Sequence, residues 1–137
     1  MSFAARLRAG RFVVALEVTP PQRPRVGVLL RRAGLLGNGA GAINVIQRPD
    51  RWSSLEASLA LGAAGRDPVW HLVNRGRTRE EIAAEIATAH RGGIGQVLCI
   101  RGDHEASDTR ATPAIREVVA MVRERMPEAL IGATLNQ

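Results

Sequence analysis

Short apolar runs and longer amphipathic stretches alternate along this chain. The runs fall at 12–18, 43–47, 69–73, 96–101 and 130–135, each of a length that suits a buried strand. Between them, apolar positions return every three or four residues. Val26, Leu29, Leu30 and Ala33 form one such stripe, and Gly37 offers a stop. Ser53 and Glu56 have capping-box spacing before Leu55, Leu59 and Ala63. Thr78 and Glu81 repeat it before Ile82, Ile86 and Ala89, and Gly92-Gly93 ends that helix. Thr112-Pro113 reads as a cap and first-turn proline. The stripe Ile115, Val118, Val119, Val122 and Met126 follows, and Pro127 stops it. A short helix is expected over residues 3–8. The stripes are core faces rather than binding grooves.

The order is therefore strand and helix in strict alternation, which demands a parallel sheet with right-handed crossovers. The fold class is α/β in one domain over residues 1–137. Two architectures satisfy the pattern: a partial TIM (β/α)₈ barrel, of which this is the N-terminal part, or an open flavodoxin-like sheet. A complete barrel needs about 250 residues. The parity of the first strand leans toward the barrel. Val13, Ala15 and Glu17 share one face, and Phe12, Val14, Leu16 and Val18 share the other. A small, partly polar face opposite a bulky apolar one suits a barrel interior backed by helices. A doubly wound sheet should be apolar on both faces.

Composition narrows the chemistry. The chain has 137 residues, 45% of them hydrophobic but only 3% aromatic, so aliphatic side chains must fill the core. Its 19 basic residues are all arginine and outnumber 13 acids, for a net charge of +6. The arginines are scattered, with no run of five or more and no aromatic platform for stacking bases, so nucleic-acid binding is not expected. Phosphate-bearing cofactors, acidic small substrates or codon bias account for the charge equally well. Cys99 is the only cysteine, so no internal disulfide is possible, and its apolar strand suggests a buried, inert thiol. No stretch approaches the roughly 18 apolar residues of a membrane span, and the N-terminus has no signal-peptide pattern. A reducing, cytoplasmic setting is expected.

Three polar positions stand out against this frame. Arg101-Gly102-Asp103 directly follows the apolar run Gln96–Ile100, Glu17 comes late in the first strand before Pro20-Pro21, and His71 lies inside the third. In α/β folds ligands sit outside the carboxyl ends of parallel strands. One rim and one pocket are expected. His90 falls at a helix C-terminus, where it complements the dipole. His104 and Asp108 lack a third or fourth ligand, so no metal is expected.

These residues resemble the methylenetetrahydrofolate reductase family, over nearly the whole chain and corresponding to the N-terminal half of that family's catalytic barrel. Ala15–Pro21 looks like the family's first strand, with its acid shortly before a proline pair. Ile43-Asn44-Val45-Ile46 looks like the second strand, and Pro68-Val69-Trp70-His71-Leu72 is similar to the third. Gly93–Asp103 looks like the fourth with its Arg-Gly-Asp end. Residues Ser53–Ala60 resemble a divergent branch, sometimes fused to homocysteine methyltransferases.

The resemblance implies a flavoprotein oxidoreductase of one-carbon metabolism and methionine biosynthesis. NAD(P)H would reduce FAD, and hydride would pass to 5,10-methylenetetrahydrofolate. Ring opening to an iminium needs a proton on the leaving nitrogen, which a carboxylic acid in a partly dry pocket can give. By resemblance Glu17 is that catalytic acid. His71, Arg101, Gly102 and Asp103 match flavin contacts, with Asp103 also placed to hold the folate substrate. Gly102 would let the backbone approach a flat ligand, and Arg101 would donate to a reduced flavin. The chain departs from the family pattern at Ile46-Gln47-Arg48 and at Gly132–Gln137, where an aromatic residue and a Pro-Glu-x-His motif are usual. Flavin-mediated transfer and direct nicotinamide-to-folate transfer both stay open. Five strands of a barrel leave two sheet edges. The expectation is a segment of a longer protein, with a homo-oligomer or a second chain completing the barrel as the alternative. A non-catalytic partner subunit is the competing function.

Overall fold

The computed structural model describes residues 2–35, 37, 39–102 and 111–134. Among these, strands and helices alternate as the apolar pattern requires. The order is α1 (Phe3–Arg8), β1 (Ala15–Val18), α2 (Val26–Ala33), β2 (Ala42–Val45), α3 (Ser54–Ala63), β3 (Pro68–Val73), α4 (Arg79–Arg91), β4 (Gln96–Ile100), α5 (Ile115–Arg125) and β5 (Leu130–Ala133).

The five strands form one all-parallel sheet in the order β1-β2-β3-β4-β5. Each strand is added beside the one before it. The register puts Leu16 beside Ile43, Val45 beside Trp70, Trp70 beside Val97, and Val97 beside Ile131. These residues share one face of the sheet, because alternate strand residues point the same way. That face meets the helices. Val18, Ile43 and Val45 pack with Leu29, Ala33 and Leu61, while Trp70, Leu72, Val97 and Cys99 pack with Ile82, Ile86, Val118 and Val122. The opposite face carries Ala15, Glu17, Asn44, His71, Val73, Leu98 and Ile100, and none of these joins either helix-backed cluster.

Helix boundaries follow local chemistry. Thr78 and Glu81 form the expected reciprocal box at the start of α4: the Glu81 N–H donates to Thr78 Oγ1 (3.2 Å), and the Thr78 N–H donates to the Glu81 carboxylate (2.8 Å). Gly92 follows α4 so closely against Leu59 that a Cβ would lie 2.1 Å from Leu59 Cδ2. The box at α3 is only half made. Ser53 Oγ accepts the Glu56 N–H, but the Glu56 carboxylate accepts the Trp52 indole N–H at 2.9 Å instead of turning back to the cap. Thr112 does not cap α5. That helix starts two residues later, because Glu117 reaches back to the Ala114 N–H (2.7 Å) and fixes the first turn there. The α2 helix likewise stops at Ala33, capped by Gly34 and short of Gly37.

The first strand is shorter than its apolar run. β2 begins at Ala42, and Gly41 gives the last inter-strand bond, its N–H donating to the Val14 carbonyl at 2.7 Å. Phe12 has no strand to pair with and is 91% exposed, so it does not share the helix-facing side with Leu16 and Val18.

Candidate functional site

At the carboxyl ends of the strands, on the face away from the helices, the chain lines an open cavity of about 780 Å³. Glu17 reaches it from β1, His71 and Val73 from β3, and Ile100 and Gly102 from the end of β4. The loop after β2 contributes Gln47, Arg48 and Ser53, and the loop after β3 contributes Arg75 and Arg77. Volume and polarity fit a small-molecule site, which is commonly a few hundred Å³ with a few placed polar groups.

His71 is the most constrained of these groups. It is only 6% exposed. Its backbone N–H donates to Ser54 Oγ (3.2 Å), and its Nε2 lies 3.2 Å from Asn44 Oδ1. Because that amide oxygen only accepts, Nε2 carries the proton and Nδ1 is left as an acceptor. Burial penalises the imidazolium and lowers the pKa from 6.5 to about 4, so the ring is neutral at pH 7.

Glu17 is exposed, on the strand face the geometry of a barrel interior would need. The partly dry pocket expected around it is not closed by the described residues. Gly102 has φ +92, and a Cβ there would lie 2.8 Å from Val73 Cγ1, so any larger residue would have to push the Val73 side chain aside. Arg101 is exposed and is not part of the cavity wall; its carbonyl accepts the Arg75 N–H at 3.1 Å, which extends the pairing of β3 with β4. Asp103, with His104, Glu105 and Asp108, lies outside the described residues. His90 is in the last turn of α4, exposed, as its position suggested. The structure thus brings Glu17, His71 and Gly102 to one cavity and leaves the Arg101 side chain outside it.

Three wall residues were not among the site residues expected from the sequence, although Gln47 lies where the chain departs from the family pattern. The Gln47 amide oxygen accepts the Ser54 N–H at 2.9 Å, so this side chain caps α3 and holds the cavity wall. Arg77 donates to the Glu85 carboxylate (2.8 Å) and to the Val73 carbonyl (3.2 Å). Arg75 points a buried Nε that has no hydrogen-bond partner among the described residues. A signal for the arginines existed. Arg75-Gly76-Arg77 follows β3 as Arg101-Gly102-Asp103 follows β4, a charged glycine break after a buried strand, and Gly76 also has positive φ.

Cys99 faces the helices, is fully buried, and its thiol pKa is pushed up to about 11 by desolvation. It takes no part in the cavity. Among the described residues no three His, Cys, Asp or Glu side chains gather as metal ligands, and no helix is long and apolar enough to cross a membrane. Compared with known proteins, the chain matches no family model and no curated protein.

Proposed function

We propose that this chain is a methylenetetrahydrofolate reductase-like oxidoreductase domain that passes hydride to a one-carbon folate, built as part of a (β/α)₈ barrel. The observation that carries the reading is the meeting of Glu17, His71 and Gly102 at one cavity beyond the strand ends. Sequential strand order with the helix-backed clusters all on one face supports the barrel. A flavodoxin-like sheet has the order 2-1-3-4-5 and helices on both faces.

The wall fits a flat, polar ring system. Gly102 and the half-buried Val73 offer a surface without a projecting side chain, and Arg75 brings a guanidinium group to the same wall. A bound nicotinamide or reduced flavin supplies the hydride. The chain's own part is positioning and proton supply. Glu17, at the same cavity, gives its proton to the leaving nitrogen of the substrate ring. Neutral His71 offers Nδ1 as an acceptor to an N–H of a ligand without adding charge. Asp103 remains the proposed folate contact, while Arg101, whose side chain stands outside the cavity wall, takes no part in this proposal. The cytoplasmic setting belongs to the same proposal and is supported by the lone, reduced Cys99.

The test is an absorption spectrum of the full-length protein with and without added FAD, together with anaerobic oxidation of NADH and NADPH in the presence of methylenetetrahydrofolate. A flavin band, or folate-dependent oxidation without one, is expected. Neither signal, with no binding of folate or nicotinamide by calorimetry, overturns the reading. That result would leave the non-catalytic partner, for which the sheet offers support: among the described residues β1 and β5 each pair on one side only, and Leu98 and Ile100 are only half-buried.

A further inference from the structure

A second cavity, of about 440 Å³, lies between the loop after β1, the α2 helix and the loop after β2. Arg23, Arg25, Arg32 and Arg51 line it, with no acid in its wall. Arg25, Val28 and Arg32 sit at i, i+3 and i+7 and so follow one face of α2 from its N-cap to its last turn. Arg51 comes from the other side. Its Nε is buried without a hydrogen-bond partner among the described residues and forms only a long ion pair, at 3.6 Å, with the 65% exposed Asp50 carboxylate. Arg32 spends one nitrogen on the Thr19 carbonyl at 2.6 Å and keeps the rest of its fork. Arg23 and Arg25 make no ion pair among the described residues.

Four arginines line this cavity with a single carboxylate beside it, so their summed positive potential favours an anion there. We propose that this cavity binds a compact oligophosphate, of the pyrophosphate or nucleoside-diphosphate class. Guanidinium forks match phosphate oxygens bidentately, and a single carboxylate would balance only one of the four charges. The site is concave and walled by Pro21 and Val28, with no aromatic side chain in its lining on which a base of single-stranded nucleic acid could stack. It shares a loop with the larger cavity: Arg48 and Ser53 face one and Arg51 faces the other, with Trp52 between. This inference does not depend on the folate reading.

The experiment is calorimetric titration of the full chain with inorganic pyrophosphate at near-physiological salt. Saturable binding is expected. Arg51→Gln and the exposed Arg25→Gln should each weaken it about tenfold, the scale of one charge-assisted hydrogen bond. Arg123→Gln, which removes the same charge from α5, should leave it within about twofold. The exposed Arg25 variant keeps the test open should Arg51→Gln fail to fold. Absence of saturable binding overturns the proposal, and so does equal weakening by Arg123→Gln. Loss of binding in Arg75→Gln but not in Arg51→Gln or Arg25→Gln would put the anion in the other cavity and overturn it too. A single-stranded oligonucleotide that binds more tightly than pyrophosphate would replace the small ligand with a nucleic acid.

Discussion

The Ser54 hydroxyl accepts the backbone N–H of His71 at 3.2 Å and donates to the Val45 carbonyl at 2.5 Å. The pairing of β2 with β3 ends at Val45 and Trp70, so this side chain bridges the next rung, where the strands part around the cavity. Ser54 is fully buried. Ser54→Ala leaves the Val45 carbonyl and the His71 amide without this partner. A loss of about 1–3 kcal/mol is expected. Urea denaturation checks it, and an unchanged midpoint would show that the strands pair directly without the bridge.

His71 ties stability to pH. Its pKa is 6.5 in an ordinary setting and about 4 in the fold. Between these values the unfolded chain binds a proton that the folded chain refuses. Stability therefore falls as pH drops from about 6.5 toward about 4, by roughly 3 kcal/mol in all. In urea midpoints measured across that window, His71→Gln should show a shallower slope than the parent. Parallel curves would mean that the imidazole is hydrated in solution.

Gly102 is a steric prediction. With φ +92 and Val73 Cγ1 at 2.8 Å from any Cβ, Gly102→Ala must both strain the backbone and shift the Val73 side chain. A cost of about 1–3 kcal/mol is expected. Ligand affinity at the larger cavity should fall with it, because Val73 and Gly102 share that wall. Thermal melts and the titrations of folate and cofactor read the two effects separately.

Glu17→Gln tests the proposed acid. The carboxyl is exposed, so the fold should hold within about 0.5 kcal/mol. Folate-dependent hydride transfer should drop about 10²-fold or more, as for loss of a general acid. Retention of full turnover would move proton supply to another group or to water.

Cys99 should be silent. Its thiol is buried and its pKa is raised to about 11, so little thiolate exists at neutral pH. Reaction with a disulfide reagent should be slow in buffer and fast in denaturant. Fast labelling of the native chain would show that the sheet opens locally.

Much of this was written in the order of residues. Alternating runs and stripes fixed the strand–helix order, because burial of one face imposes its own period on each element. The parity of β1 put Glu17 opposite Leu16 and Val18, and the structure places it on the face away from the helices. The Thr78 box was readable because both partners lie within one turn. Other features depended on distant partners. Glu56 chose Trp52 over its cap, Glu117 moved the start of α5, and Phe12 lost its strand for want of a partner in β2. Local spacing carries no record of such competition.

The sequence by itself determined that this is an alternating α/β chain, and which side chains could face the sheet's two sides, since both follow from periodicity. Only the tertiary structure decided that the strands lie side by side in chain order, that Arg75 rather than the Arg101 side chain stands in the cavity wall, and that four arginines from three segments meet in a second cavity. Those outcomes are set by strand register and loop path, which are long-range packing choices that no window of sequence encodes.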